Sequence, residues 1–190
     1  MRNMGFPPNK RNELTLEEWD LFISGDLRSF EAIFDKHFER LFRFGMTLLQ
    51  DEEIIKDCVQ TLFIDLWEKK AQLSGVEHVE PYLFKALRNR IYNTYNAEKR
   101  KKEILTLLQR HALIGLKSSN DEDFNDTMQD QTELKILVND LPLRQREAVM
   151  LIFFENYSYE KASEILSINI QSLYKLVSRA VDSLRANLNK

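Results

Sequence analysis

Six polar side chains are clustered near the C-terminal end of this chain, in a stretch whose other residues are mostly apolar. Amides, hydroxyls and cations are the groups that hydrogen-bond base edges and neutralise phosphates. A solvent-facing helix would more often carry Glu–Lys pairs four residues apart, but this stretch has no acid before Asp182. The set therefore favours a DNA-reading helix face, with an ordinary solvated hairpin as the alternative. Its members are Gln171, Ser172, Tyr174, Lys175, Ser178 and Arg179.

The residues that precede this polar set, and those interleaved with it, predict a helix-turn-helix from roughly Tyr157 to Leu188. Its two helices cross closely, so small residues are needed at the crossing and apolar ones on the inner face. Ala162 and Ser163 are small. The predicted inward residues lie 4, 6, 11 and 14 positions after Ala162, and they are Leu166, Ile168, Leu173 and Leu176. Residues 167–169 are then the turn.

A second candidate surface is a basic stretch in the middle of the chain. Residues 85–102 contain seven Lys or Arg and one acid, although the whole chain carries a net charge of -3. Aromatic rings stack on unpaired bases, amides read base edges and cations hold the backbone. The combination favours single-stranded or melting DNA, while a solvated helix end with inward-packed tyrosines is the alternative. The aromatic and amide residues are Tyr82, Phe84, Tyr92, Tyr95, Asn89, Asn93 and Asn96.

Composition predicts an all-α fold of two small helical domains joined by a flexible acidic linker. The 190 residues are 43% hydrophobic, with only five Gly and four Pro. The single Cys58 excludes an internal disulfide, and the absence of a long apolar run predicts a cytoplasmic protein. The sequence has no glycine-rich phosphate loop, metal-spaced cluster or nucleophile with a base, so we expect no enzyme activity, cofactor or metal.

Helical patterns divide the chain into segments. An N-terminal tail, 1–13, precedes a helical domain, 14–102; an acidic linker, 103–131, leads to a second domain, 132–190. In the first domain an apolar stripe from Phe30 to Leu49 predicts a helix. A second helix should begin near Asp51 and reach Trp67, and Pro81 fits the first turn of a third helix. The second domain should contain four helices, Glu133–Leu141, Leu143–Glu155, Tyr159–Leu166 and Ile170–Leu188.

Three stretches in this order resemble the extracytoplasmic-function group of the sigma-70 family. Residues 25–67 contain a D-x-x-Q-x-x-F core as Asp57, Gln60 and Phe63, ahead of Leu66-Trp67. Residues 81–102, PYLFKALRNRIYNTYNAEKRKK, resemble the promoter-melting region, and residues 141–188 resemble the fourth region. The resemblance implies a subunit that directs bacterial RNA polymerase to promoters.

The resemblance also implies residue roles. Asp57, Gln60, Phe63 and Trp67 would contact the polymerase, although Phe63 and Trp67 fit an apolar core equally well. The loop residue His78 and the basic helix would contact the -10 element through Arg88, Asn89, Tyr92, Asn93, Asn96, Lys99 and Arg100. The polar set from Gln171 to Arg179 would contact the -35 element. The implied partners are the clamp helices and flap of core RNA polymerase, promoter DNA and an anti-sigma factor, with no small-molecule substrate.

Some positions depart from the family pattern. Asn93 and Asn96 stand where the family often has Asp and Arg, and residues 173–176 replace a commoner Val-Lys-x-Arg run. The promoter sequence therefore stays open. A helix-turn-helix regulator that acts without being a polymerase subunit is the main alternative, but it leaves the basic, aromatic stretch unexplained. A module that only sequesters a polymerase subunit would leave the exposed polar set unexplained.

Overall fold

The structure, a computed structural model, describes residues 15–76, 78–112 and 138–188. All regular structure within these ranges is helical, which confirms the predicted all-α class. The helices are α1 (Leu16–Ile23), α2 (Leu27–Leu48), α3 (Glu52–Glu68), α4 (Val79–Ala112), α5 (Leu143–Val149), α6 (Tyr159–Leu166) and α7 (Ile170–Leu188), and a short 3-10 turn, Lys70–Gln72, follows α3.

Helices α1 to α4 form an N-terminal bundle. Leu41, Phe44, Ile55 and Leu87 are fully buried where α2, α3 and α4 meet. Local signals set the boundaries: the Asp51 carboxylate accepts the Ile54 N–H at 3.0 Å, so the predicted start of α3 is confirmed. Because these helices are fixed against one another, the polar faces of α3 and α4 have defined directions.

Helices α5 to α7 form a C-terminal module, which contains the predicted helix-turn-helix. The predicted helix Leu143–Glu155 is α-helical only to Val149, and Met150–Phe154 form a π-helical turn. In this wider turn the Glu155 N–H donates to the Met150 carbonyl at 2.9 Å, one residue further back than in an α-helix. The segment ends at Glu155, whose carboxylate is buried against α2.

The long helix α4 differs from the predicted segment boundaries. It continues to Ala112, ten residues past position 102, where the sequence suggested that the linker begins. The basic stretch is therefore part of one uninterrupted helix. The N-terminal tail, the acidic stretch around 118–131 and most of the predicted helix Glu133–Leu141 lie outside the described residues.

The N-terminal bundle and the C-terminal module share a buried interface. Helix α4 packs against α6, and α2 packs against α5. The Phe84 ring meets the Tyr157 ring edge-on with 5.4 Å between centroids, and Arg146 donates to the Thr47 carbonyl at 3.1 Å. The two modules are thus in direct contact, which amphipathic periodicity alone could not indicate.

Candidate nucleic-acid interface

The turn of the helix-turn-helix lies where the sequence predicted it. Ser167 ends α6 in the left-handed conformation, with φ of 55°, and the Ile168 N–H donates to the Ser163 carbonyl at 3.1 Å. The Asn169 side chain then accepts the Ser172 N–H at 2.7 Å, which satisfies a free amide at the start of α7. The predicted turn is therefore confirmed.

The crossing of α6 and α7 also follows the predicted spacing. Ala162 and Leu173 are fully buried, and Leu166 is 2% exposed. Leu176 is only half-buried, whereas Val177, which the spacing did not select, is 5% exposed. The inner face of α7 is thus rotated slightly toward Val177 relative to the expected pattern.

The opposite face of α7 is open. Gln171, Lys175, Ser178 and Arg179 are exposed, and Ser172 is half-buried. Lys175 and Arg179 lie one helical turn apart, so their cations share a face. An amide and two cations on one exposed helix are suited to the major groove, which admits an α-helix.

Tyr174 belongs to the same face but is held by a neighbour. Its ring stacks on Tyr159 of α6 with 4.2 Å between centroids and 15° between planes, and it remains 52% exposed. The stack fixes the ring direction while leaving the hydroxyl edge accessible. Tyr159 was not selected from the sequence, because a tyrosine at the start of a helix has no distinguishing spacing.

The basic helix α4 provides the second exposed polar face of the protein. Asn89, Asn93, Asn96 and Arg100 are exposed and fall at spacings of four, three and four, which places them on one side of the helix. Lys99 is exposed beside them, and His78 is exposed just before the helix begins. This face offers a row of amides followed by cations.

The aromatic residues of α4 do not form one exposed stacking surface. Phe84 is fully buried and its centroid lies 5.2 Å from that of Phe44, and Tyr82 is half-buried. Tyr95 is 48% exposed. Tyr92 is half-buried like Tyr82, so Tyr95 is the ring of this group that is open to a base in this structure.

Arg88 is buried rather than exposed, because it pairs with a carboxylate of the C-terminal module. Its Nε lies 2.6 Å from Oε1 of Glu147, and only 6% of the residue is exposed. The Tyr92 hydroxyl donates to the same Glu147 oxygen at 3.1 Å. Burial raises the pKa of Tyr92 and the nearby Glu147 charge raises it further, so the hydroxyl keeps its proton as a donor.

Arg88 and Tyr92 line a shallow polar cavity of about 290 Å³ between the two modules. Asn89 and Asn93 form one wall, and Arg144 of α5 forms the other. The Arg144 guanidinium lies 5.9 Å from the centre of the Tyr92 ring, within cation–π range. The amides at the cavity therefore remain accessible although Arg88 is not.

The third predicted surface lies on α3. Asp57 and Gln60 are exposed, and Trp67 is half-buried. The Lys70 ammonium lies over the Trp67 ring, 4.1 Å from the ring centroid. Phe63 is 3% exposed and packs against Phe34 at 4.8 Å between centroids. The structure therefore gives Phe63 a place in the core beneath this surface.

An apolar groove of about 420 Å³ lies between α2 and α3 beside Gln60. Ile64 is 56% exposed along it, and Trp67 forms part of its wall. Ile64 was not predicted as part of a binding surface, and Phe30 and Phe34 of α2 were predicted only as part of an apolar core stripe. The only sequence signal for Ile64 is an apolar residue directly after Phe63. Periodicity alone assigns no function to a residue at that position. The full lining is Phe30, Phe34, Gln60, Phe63, Ile64, Trp67 and Glu68.

No group of His, Cys, Asp or Glu within the described ranges is arranged to hold a metal ion. No helix in the described part of the chain is long and apolar enough to cross a membrane. The open surfaces on α3, α4 and α7 are the candidate functional sites.

The fold and these surfaces define a helical protein with a helix-turn-helix module. Residues 33–101 match the family model for sigma-70 region 2, and residues 133–184 match the model for sigma-70 region 4. The chain is 25% identical over 169 residues to the ECF RNA polymerase sigma factor SigM of Bacillus subtilis (strain 168), covering 84% of this chain and 95% of that protein.

Solved structures show the same fold. The sigma factor RpoE from Bartonella quintana, in complex with the anti-sigma factor NepR, matches with a TM-score of 0.65 and 23% identity, covering 86% of this chain and 98% of that one. CnrH, in complex with the cytosolic domain of CnrY, matches with a TM-score of 0.65 and 18% identity, covering 91% of this chain and 96% of that one.

The two matched regions span more than half of the chain and occur in the order that the sequence predicted. The chain therefore belongs to the sigma-70 family, within its extracytoplasmic-function group, and is a sigma factor that directs promoter-specific transcription initiation. The family-level prediction from the sequence is confirmed.

Proposed function

We propose that this chain binds core RNA polymerase through α3 and recognises promoters at two points, the -35 element with α7 and the -10 element with α4. The main support is the exposed polar face of α7, which directly follows the turn of the helix-turn-helix. The same chain also contains the basic helix α4. The role needs no catalytic residue of its own, and it places the chain in the cytoplasm with the polymerase.

At the -35 element, the exposed face of α7 would enter the major groove. Gln171 is suited to reading a base edge, because its amide carries both a donor and an acceptor. Lys175 and Arg179 would reach base edges or phosphates from the same side of the helix. Tyr174, fixed by its stack on Tyr159, offers a hydroxyl in a defined position.

At the -10 element, α4 would contact a strand that is separating from its partner. The exposed amides Asn89, Asn93 and Asn96 would read base edges, while Lys99 and Arg100 would hold the backbone. Tyr95 is the exposed ring proposed for stacking, and the half-buried Tyr92 is the second proposed ring. His78 is exposed at the entry to α4, where it could contact a displaced base.

The polymerase would contact α3 and the groove beside it. Asp57 and Gln60 supply exposed polar contacts, and Trp67 with Ile64 supplies apolar surface at the groove. Phe63 supports this surface from below. The clamp helices of the largest subunit are the proposed partner here, and the flap is the proposed partner of the C-terminal module.

An anti-sigma factor is a further proposed partner. In one similar solved structure the sigma factor RpoE is bound to the anti-sigma factor NepR, and in another CnrH is bound to the cytosolic domain of CnrY. Their likeness covers most of this chain. We therefore expect a protein that holds this sigma factor away from the polymerase.

The test is transcription in vitro with core polymerase on a promoter library. The native chain should produce promoter-specific transcripts, and the double variant Asp57→Ala with Gln60→Ala should bind core polymerase about tenfold more weakly, since central interface residues dominate affinity. The matched control is Asp20→Ala with Gln72→Ala, which removes the same two chemical groups from exposed positions on α1 and in the 3-10 turn. Equal polymerase affinity of the two double variants would contradict the docking assignment.

A further inference from the structure

Two charged clusters cross the interface between the N-terminal bundle and the C-terminal module. The first is centred on Glu147 of α5, whose fully buried carboxylate accepts Arg88 Nε at 2.6 Å and the Tyr92 hydroxyl at 3.1 Å. Arg144 approaches its other oxygen at 3.5 Å. We call these four residues the Glu147 cluster.

The second cluster is centred on Arg40 of α2. Its guanidinium lies 2.8 Å from a Glu155 oxygen of the C-terminal module and 3.1 Å from a Glu80 oxygen of α4. The Tyr157 hydroxyl donates to Glu80 at 3.2 Å. We call these four residues the Arg40 cluster, and it joins α2, α4 and the end of the π-helical turn.

Ion pairs lie beside apolar contacts in this interface, since buried residues of both modules, Phe84 and Tyr157 among them, belong to one hydrophobic cluster. The free energy lost when two ions leave water offsets most of the free energy gained from their attraction. A buried ion pair therefore adds little net stability. When the modules separate, each ion regains its hydration, whereas a wholly apolar interface would leave its surface unsatisfied. Removing only one partner is different, because the other charge is left buried and unpaired. The ion pairs therefore add little to the cost of separating the modules, unlike the apolar contacts beside them.

The Glu147 cluster contains Tyr92, which the proposed function assigns to promoter DNA, and Arg88, which the family resemblance assigns to the -10 element. Asn89 and Asn93 line the same cavity as these two residues. A guanidinium binds a carboxylate and a phosphate with the same hydrogen-bond geometry. The Glu147 carboxylate thus occupies the hydrogen-bond donors of Arg88 that a backbone phosphate could otherwise bind.

We propose that Glu147 is an internal competitor of the promoter strand, and that the C-terminal module must leave α4 before Arg88 and Tyr92 can bind single-stranded DNA. The inference rests on the proposed function for the identity of the strand. In the free chain, molecules whose two modules are in contact cannot bind the strand through Arg88 and Tyr92, so the apparent affinity for single-stranded DNA is lowered. Releasing the contact between the modules raises that affinity without adding a new contact to DNA.

The experiment uses the full chain with Glu147→Gln, which keeps the shape of the side chain and removes its charge. Donor and acceptor dyes on Glu53→Cys and Asp182→Cys, in a Cys58→Ala background, report the separation of the modules by energy transfer. The probe is a labelled single-stranded oligonucleotide of mixed sequence. We expect lower energy transfer and about tenfold tighter oligonucleotide binding, as for the loss of a charge-assisted hydrogen bond.

The matched control is Glu31→Gln, which removes one exposed carboxylate of α2 and leaves both clusters intact. Tyr92→Phe is the second variant, because it removes the hydroxyl contact with Glu147 and retains the ring for stacking. It should change both signals in the same direction by a smaller factor. Circular dichroism melting checks that each variant is folded.

Unchanged energy transfer in folded Glu147→Gln would overturn the proposal. Separated modules with unchanged oligonucleotide affinity would also overturn it, because the strand would then not use Arg88 and Tyr92. Transcription by the native chain with core polymerase measures the proposed function independently, so the two failures are distinguishable.

Discussion

The charged residues with the lowest exposure are those that join the two modules. Glu147 is fully buried, Arg88 is 6% exposed and Glu155 is 9% exposed. Charged residues of this kind are seldom buried unless they are paired. Each of them has its ion-pair partner in the other module, so the cost of burial is incurred only when the modules meet.

His37 of α2 is a second buried polar residue, and it makes stability depend on pH. Both of its ring nitrogens are buried and have no hydrogen-bond partner among the described residues. Burial, and then the positive charges of Arg40 and Lys36, lower the pKa of His37 to about 4, against a weaker opposing effect of Glu18. The folded chain therefore keeps this imidazole neutral where the unfolded chain would protonate it.

We predict that this histidine lowers the free energy of unfolding by about 2 kcal/mol between pH 7 and pH 5. The sign follows from proton uptake: below about pH 6.5 the unfolded chain binds a proton that the folded chain does not, so acid favours unfolding. Urea unfolding at both pH values measures the effect. His37→Leu should lose this part of the pH dependence, whereas His78→Gln, at an exposed position, should keep it. An equal slope in His37→Leu and the native chain would contradict the prediction.

Among the elements, the crossing of α2 with α3 and α4 fixes the direction of the proposed docking and strand-binding faces. Gly45 lies at this crossing, where a Cβ atom would meet the Ile55 Cγ2 at 2.7 Å and the Ile91 Cδ1 at 3.4 Å. The branched methyl of Ile55 cannot swing away without moving its backbone. The close approach of the helices therefore requires glycine here.

We predict that Gly45→Ala lowers the free energy of unfolding by about 1–2 kcal/mol. Alanine gains up to about 1 kcal/mol of helix propensity, but overpacking a filled core costs about 1–3 kcal/mol or more, and the 2.7 Å contact places this site at the high end. Chemical denaturation measures the change. Gly75→Ala is the control, since its Cβ would meet nothing within 4 Å, and it should be neutral or slightly stabilising. Equal stability of the two variants would show that the crossing can relax.

The whole molecule divides its proposed DNA-reading residues between two modules that are closed on each other. We predict that the free chain binds duplex promoter DNA weakly and with steep salt dependence, and becomes sequence-specific only with core polymerase. Footprinting with and without core polymerase measures this. A tight, specific footprint by the free chain would favour a helix-turn-helix regulator that acts alone.

The sequence by itself determined the features that depend on neighbouring residues. Helices α6 and α7 have the predicted bounds, and the turn between them lies at residues 167–169. The start of α3 follows from the Asp51 cap. Caps, small residues at a crossing and apolar periodicity act within a few residues, so they can be read directly. The order of the three family-like stretches then determined the class of protein.

Only the tertiary structure decided which polar residues are open. Arg88 and Glu147 are 59 residues apart in sequence, and Arg40 and Glu155 are 115 apart. A lone charged residue has the pattern of a surface position, and its burial depends on a partner that local spacing cannot identify. The change to a π-helical turn after Val149 is equally invisible to a pattern with a period of 3.6 residues. The physical reason is common to these cases: periodicity specifies which face of a helix is apolar, while contact between distant modules specifies which charges are paired.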